Sequence, residues 1–494
     1  MSSSRRRFLS QTSLVAATAL GFPSLSRSGE PGATQPGAKP RHIIHMVADG
    51  MSMGTLTLSD HFSWLLRQRG LRWMELCQRP ETVFGWVNMR SLNSLVTDSS
   101  AASSSWGSGS RVVNGVVNRL PDGRDLRPLY SVLDEAGWKR GLVTTTEITH
   151  ATPAGFVANA SSRDTAEVIS AQYLVRKVDV LLGGGRKFFD PAWRKDKRDL
   201  RGDFRAHGYC VMDRASDLAA APLSQRWLGT FASSHLPFTL DHIADPELMA
   251  SVPTLARMTQ AALAKLERED RFILQVEGGR VDHGAHNCDI VAALRDQVAF
   301  DEALEVCVEF QRRVPDTLLI VTTDHGTGNP GLNGTGSAYK ESSPLFANTL
   351  QVNRSFPEMI RQIERNPTSA GVKRVVSEAA GYRVPEAKAA ALAEFLMKKG
   401  KPVYDAMNSV TAQLGQLLAN HLGVGWASGS HTADYVPLLA RGPGSGQFRG
   451  FLPNTDVFHN YVALAGVDFK NPEVPLTAET APSASEVEPV ESFV

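Results

Sequence analysis

The run Phe272-Ile-Leu-Gln-Val-Glu277 ends in a carboxylate, and Asp282, His283 and His286 follow within nine residues. An apolar run of that length reads as a buried strand. In an α/β protein the tips of parallel strands open into the crevice where ligands bind. Asp282 and His286 are four apart, so a helical start there puts both on one face. Carboxylate oxygen with imidazole nitrogen is a ligand set that suits zinc and its neighbours. Alone, the segment reads equally well as a solvated helix start capped by an aspartate. The pattern recurs, however. A second apolar run from Arg41 ends in Asp49-Gly50, and a third, Thr317-Leu-Leu-Ile-Val-Thr, ends in Asp324-His325. A late histidine, His431, stands just ahead of another strand-like run, Tyr435 to Ala440. One Asp-Gly is a turn signal. Three strands that each deliver a carboxylate to one edge of a parallel sheet point to a polynuclear metal site.

A nucleophile candidate lies in Thr97-Asp98-Ser99-Ser100-Ala101-Ala102, rich in small residues and helix-compatible after Asp98. A serine in the first turn of a helix sits at the positive end of the helix dipole, among N–H groups that also bind phosphate. Its hydroxyl needs a proton acceptor or a metal to become a nucleophile. The chain has no Gly-x-Ser-x-Gly elbow, so a metal is the natural activator. Taken alone, the stretch is also an ordinary capped, serine-rich helix.

Something must hold these groups in register, and strand and helix signals alternate along the chain. Gly141 to Thr146 and Val178 to Leu182 read as further strands; Pro253 to Glu269, with Pro in the first turn, and Ile290 to Arg312 read as helices. Such alternation predicts a central, mostly parallel sheet with helices on both faces. Gly183-Gly184-Gly185-Arg186 lacks the Lys-Ser/Thr of a phosphate loop and reads as a turn after a strand. Residues 329–429, between the last two ligand groups, form a largely helical insert with helices expected around 355–364, 385–399 and 406–421. An insert at a strand end suits a cap or crown over a site, or a subunit contact. Its Lys340, Lys398, Lys399 and Lys401 read as solvated helix faces.

The 494 residues suffice for one large α/β domain with insertions, and a formal charge of +1 leaves no nucleic-acid footprint. Ser4-Arg5-Arg6-Arg7-Phe8-Leu9, followed by a short apolar stretch from Leu14 to Phe22, matches a twin-arginine export signal. That stretch is too short to span a bilayer. Residues 1–40 are therefore read as signal peptide and linker, 41–470 as the catalytic domain, and 471–494 as a disordered tail rich in Pro, Glu and Ser. Without residues 1–30 the net charge is −2. The expected destination is periplasmic or secreted. The four cysteines, Cys77, Cys210, Cys288 and Cys307, form no Cys-x-x-Cys pair, and Cys288 reads as a buried helix residue rather than a ligand.

Taken together, these segments resemble the alkaline phosphatases. Asp49-Gly50-Met51, Thr97-Asp98-Ser99, Ala151-Thr152-Pro153 with Arg163 after it, Glu277 with Asp282-His283…His286, Thr323-Asp324-His325 and Gly429-Ser430-His431-Thr432 follow the family's order from about residue 40 to 465. The resemblance implies an alkaline-phosphatase-like fold and a phosphomonoesterase that forms a phosphoserine on Ser99. It implies one zinc on Asp282, His286 and His431, and a second on Asp49, Asp324, His325 and the Ser99 oxygen. A third metal, usually magnesium, would sit on Asp49, Thr152 and Glu277, with Arg163 forking across two phosphate oxygens. His150 and His283 stand where the best-known bacterial pattern has Asp and Lys. Two imidazoles there, beside the third metal or the phosphate, would admit zinc or cobalt. The implied partners are small phosphomonoesters, the twin-arginine export machinery and a second copy in a homodimer. A phosphodiesterase or nucleotide pyrophosphatase of the same fold is the nearest rival, but it usually lacks the equivalents of Thr152 and Glu277. A sulfatase fails because Ser99 is followed by Ser-Ala-Ala. A non-catalytic metal- or phosphate-binding protein should have lost a ligand or Ser99.

Overall fold

The computed structural model describes residues 39–334, 337–397 and 404–476. The proposed export signal, Lys398, Lys399, Lys401 and the tail from residue 477 lie outside these residues. Eight strands come first: β1 (His42–Val47), β2 (Val83–Asn88), β3 (Lys139–Glu147), β4 (Val180–Gly184), β5 (Tyr209–Met212), β6 (Arg226–Thr230), β7 (Phe272–Glu277) and β8 (Thr317–Thr322). Four two-residue strands follow, β9 (Gly326–Thr327), β10 (Gly331–Leu332), β11 (Val424–Gly425) and β12 (His431–Thr432), and then β13 (Val436–Arg441) and β14 (Gly450–Pro453).

The main sheet runs β14-β2-β13-β8-β1-β7-β3-β4-β6-β5. Every neighbouring pair is parallel except those of β13, which is antiparallel to β2 and to β8. The three ligand-bearing runs are β1, β7 and β8, side by side at the centre and buried along their whole length. Central parallel strands are covered on both faces, which is why these runs are continuously apolar rather than alternating. The period of two still divides them: Ile43 and Val47 join one core cluster, Ile44 and Met46 the other. Helices Met53–Arg67, Leu255–Leu266 and Ile290–Arg313 cover the Ile44 face, while Ser99–Ser108, Ala151–Val157 and Asp456–Ala465 cover the Ile43 face.

Helix boundaries follow their caps. Thr254 accepts the Arg257 N–H and starts its helix at Leu255, so Pro253 precedes the cap instead of occupying the first turn. Asp289 caps Ile290–Arg313 through the Ala292 N–H. Cys288 is buried as expected, but it lies in the turn before that cap with φ of 50°, not in a helix. Its Sγ sits 3.6 Å from the Ser428 carbonyl. All four cysteines are free.

The insert contains helices Phe356–Glu364, Ser369–Ala380, Glu386–Leu396 and Val410–Leu422. Its two ends are tied by the β10–β11 pairing. Met359, Val372, Val375, Leu414 and Leu418 belong to the same core cluster as Ile290 and Leu294, so this segment shares the main core. Asp289 also accepts the Phe356 N–H (2.6 Å), and Asp241 accepts the Ser355 N–H and hydroxyl, which pins the first insert helix to the body. Lys340 is exposed. The glycine run finishes β4, and the amides of Gly185 and Arg186 donate to the carbonyls of Ser234 and Ala232, leaving them no phosphate to bind. Past residue 470 the chain stays attached for a few residues: the Asn471 side chain donates to the carbonyls of Ser108 and Arg127, and Ser110 donates to Pro472. Among the described residues no helix is long and apolar enough to cross a membrane.

Candidate metal centre

The register of the sheet brings the ligand-type residues level. Val47 of β1 pairs with Glu277 of β7 and with Thr322 of β8, so all three strands release their acidic residues at one edge. The turn after β1 needs Gly50. Its φ is +69°, and a Cβ there would stand 2.4 Å from Asp282 Oδ1. The Gly50 N–H donates to Asp324 Oδ1 (3.0 Å), which locks the first tip to the third. β12 pairs with β9, His431 opposite Thr327, and so returns the late histidine to the same edge.

Three groups result, each with ligand atoms within 4.8 Å of one another: Asp282, His286 and His431; Asp49, Asp324 and His325; Asp49, His150 and Glu277. In the first, His286 Nδ1 donates to the Gly429 carbonyl (2.8 Å) and His431 Nδ1 donates to the Thr97 carbonyl (2.9 Å). Both imidazoles therefore turn Nε2 inward, where the two nitrogens lie 2.9 Å apart beside Asp282. A carbonyl behind a ligating imidazole is the usual device for fixing the ligating tautomer. Thr327 donates to Asp282 Oδ1 (2.6 Å).

The second and third groups share Asp49. Asp49, Glu277 and Asp324 are fully buried. Burial, then the charges of Asp324, Asp282 and Glu277, push the Asp49 carboxyl well above its ordinary range. Burial works against the charge of Asp282 too, yet His286 and His431 hold its carboxyl well below the usual range. Asp49 Oδ1, Glu277 Oε1 and His150 Nδ1 are buried without a hydrogen-bond partner. So many acidic oxygens, clustered and partnerless, fit divalent cations, because buried charge is stable only when paired or coordinated. Thr152 donates to Asp49 Oδ2 (3.2 Å), and Thr144 donates to Glu277.

Ser99 opens the helix Ser99–Ser108, whose N-cap Asp98 accepts the Ala101 N–H. Its Oγ lies 3.2 Å from His325 Nε2 and the residue is almost fully buried. That helix crosses Ala151–Val157 at a pair of glycines: a Cβ on Gly107 would lie 1.9 Å from the Gly155 carbonyl, and one on Gly155 2.3 Å from Ser103 Oγ. The close crossing brings Ser99 and Thr152 to one centre. Arg163 Nη1 donates to Asp98 Oδ2 (3.1 Å) and Nη2 to His150 Nε2 (3.2 Å).

All twelve sequence-predicted residues thus converge on one edge of the sheet. His150 comes closer than expected, with Nδ1 among the oxygens of Asp49 and Glu277. His283 lies behind it, ring centroids 5.5 Å apart, and accepts from Arg280 Nη1 (2.6 Å). Sequence reading missed four contributors: Asp98 as the Arg163 anchor, Thr327 and Thr144 as donors to ligand-type carboxylates, and His235, whose ring lies 4.5 Å from that of His283. Asp98 sits within the Thr97-Asp98-Ser99 motif and Thr144 within the Gly141–Thr146 run already read as a strand, so their polar side chains were a usable signal. His235 had none.

The family description "Alkaline phosphatase" matches residues 40–467. Alkaline phosphatase 3 of Bacillus subtilis is 32% identical, the match covering 74% of this chain and 76% of that protein. Streptomycin-6-phosphate phosphatase of Streptomyces griseus is 31% identical over 58% of this chain and 74% of its own length. Among solved structures, the alkaline phosphatase of Thermus thermophilus superposes with a TM-score of 0.82 at 36% identity, covering 91% of this chain and 97% of that one.

Proposed function

This chain belongs to the alkaline phosphatase family, and on that premise we propose that it hydrolyses phosphate monoesters through a phosphoserine on Ser99, with two zinc ions and a third metal as cofactors. The observation that carries the reading is the position of Ser99 Oγ, at a helix N-terminus, 3.2 Å from His325 and among three groups able to hold cations. Asp282, His286 and His431 would hold one zinc; Asp49, Asp324, His325 and the Ser99 oxygen would hold the other. Asp49, Thr152 and Glu277 would hold the third metal, magnesium in the commoner pattern, with zinc or cobalt admitted by His150 and His283. When bound, such cations act as Lewis acids that stabilise the entering and leaving oxygens of an in-line displacement and lower the pKa of a coordinated hydroxyl.

The chain's own groups do the rest. Ser99 Oγ gives up its proton and attacks phosphorus; the P–O bond to the substrate alcohol breaks, and the departing oxygen takes up one proton to leave as the alcohol. Water then cleaves the Ser99 phosphoester, returning the hydroxyl and releasing inorganic phosphate. Arg163, held on one side by Asp98, presents a planar pair of N–H donors to two phosphoryl oxygens. The positive end of the Ser99–Ser108 helix adds to that field. None of the groups at the centre is committed to gripping the alcohol. Broad monoester specificity follows, and a relative named for a phosphorylated antibiotic suits a centre that tolerates bulky alcohols.

Metal analysis of the purified protein, paired with rates on a phosphate monoester and a diester, tests the reading. Preference for the diester, or full activity after metal removal, would overturn it. The presence of Thr152 and Glu277 beside Asp49 favours the monoesterase over the diesterase. Export by the twin-arginine route to the periplasm or beyond rests on Ser4 to Leu9 and is measured by where the mature chain accumulates. The homodimer rests on the resemblance and is measured by light scattering.

A further inference from the structure

His235 belongs to none of the motifs that define the centre, yet it touches the side where the third metal would sit. It lies in the loop after β6, five residues past Thr230. The main-chain N–H of Glu147 donates to its Nδ1 at 3.1 Å. An amide can only donate, so Nδ1 carries the lone pair and the ring proton sits on Nε2. Glu147 is the last residue of β3, and its carbonyl accepts the His150 N–H (2.8 Å). That turn presents His150 to Asp49 and Glu277. The loop clips onto the turn at further points: Ser234 Oγ donates to Glu147 Oε1 (2.7 Å), and the Leu236 N–H donates to the Thr145 carbonyl (3.0 Å). The three rings of His150, His235 and His283 stand edge to face, with centroids 4.5–5.7 Å apart. They do not converge on a cation of their own, because the Nδ1 atoms of His235 and His283 are both occupied by donors.

We infer that His235 is a positioning residue for the third metal: by accepting the Glu147 N–H it holds the turn that aims His150 Nδ1 at Asp49 and Glu277. The inference rests on the three-metal reading above and deepens it. Outer groups that support the side chains around a metal typically change its affinity by roughly ten- to a hundredfold, and that is the effect expected here, with His150 lying beside the Asp49 and Glu277 carboxylates.

Two substitutions test it. His235→Leu keeps bulk but has no acceptor; His235→Asn places Oδ1 near the position of Nδ1 and keeps one. Each metal-loaded protein is dialysed against a graded chelator series. Metal per chain is counted by mass spectrometry, and cobalt-loaded samples are followed by their visible absorption. The expected result is that H235L releases its third metal at about ten- to a hundredfold lower chelator strength, with the other two retained as in wild type, and that H235N is restored. Third-metal retention in H235L equal to wild type would overturn the inference. Failure of H235N to restore what H235L loses would overturn the acceptor route on which it stands. Wild-type protein that binds only two metals would overturn the three-metal reading itself, a result distinguishable from both.

Discussion

Truncating Arg163 to Ala should weaken inorganic phosphate as an inhibitor while leaving the fold and the first two metals in place. Arg163 is held by two contacts, one to Asp98 Oδ2 and one to His150 Nε2, and is only slightly exposed. One hydrogen bond to a charged partner contributes about 1.5–3 kcal/mol, and about 1.4 kcal/mol is a factor of ten. Loss of one effective bond therefore raises the inhibition constant for phosphate by roughly ten- to 150-fold. Loss of both arms of the fork is not additive, so the upper figure is the better guide. The fold should tolerate the change. Burial opposes ionisation of Asp98, but besides Arg163 it accepts from Ser100 Oγ and from the amides of Ala101 and Gly115, so its charge keeps three donors and the helix keeps its cap. Arg163→Lys is the control: it preserves a positive charge but not the planar fork, and should fall between wild type and R163A.

The assay is competitive inhibition by phosphate against a monoester substrate, checked by direct phosphate binding to the metal-loaded protein. Metal content and thermal melting are measured on the same samples. An inhibition constant in R163A equal to that of wild type, with metals intact, would refute the placement of this guanidinium over the phosphoryl group. Loss of the first two metals would show instead that Arg163 supports the centre structurally.

Three other outcomes follow from the same geometry. Ser99→Ala should reduce monoester turnover by orders of magnitude with zinc content nearly unchanged, because Asp49, Asp324 and His325 form their group without it; full activity would sink the phosphoserine route. Changing His150 to Asp and His283 to Lys together should shift the third metal toward magnesium, since carboxylate and water suit its octahedral demand better than imidazole does; identical reconstitution profiles with zinc, cobalt and magnesium would retire that role. Asp289→Asn should flatten the decline of stability with pH. Burial raises the Asp289 carboxyl to about 7, partly offset by the Ala292 and Phe356 N–H groups, so its contribution is complete below the ordinary value of 3.8 and is lost as pH rises through about 7. Melting curves for the two metal-saturated proteins that stay parallel from acid to pH 8 would count against it.

The central strands were legible because burial on both faces leaves nothing but apolar residues, and each such run stops abruptly at a ligand-type residue. The direction of β13 was not. A buried run such as Val436 to Ala440 has the same composition whichever way it is traversed, and only the preceding β9–β12 ribbon turns it antiparallel to β8. Helix ends shifted where a capping side chain outranked proline, as Thr254 does over Pro253. Cys288, two residues past His286, was expected in a helix; the buried cap at Asp289 requires a break there, and the positive φ supplies it. Partnerships between distant segments were hidden for a different reason. Asp98 meets Arg163 and His235 meets Glu147 through crossings set by the strand order, which no local spacing encodes.

The three groups differ in how the chain holds them. In the first, two main-chain carbonyls fix the inward nitrogens of His286 and His431, and Thr327 of β9 fixes Asp282. In the second, Asp324 accepts the amides of Gly50 and His325, so the backbone at the tips of β1 and β8 sets its direction. Main-chain restraints of this kind survive most side-chain substitutions. The third group is built otherwise. Glu277 stands on β7, but Thr152 and His150 come from the start of a short helix beyond β3, and His150 is aimed by a turn that side chains of a separate loop hold down. Two groups are thus restrained by the backbone at the sheet edge, and the third rests in part on a loop–turn contact. The departures from the commoner bacterial pattern, His150 and His283, stand beside that third group.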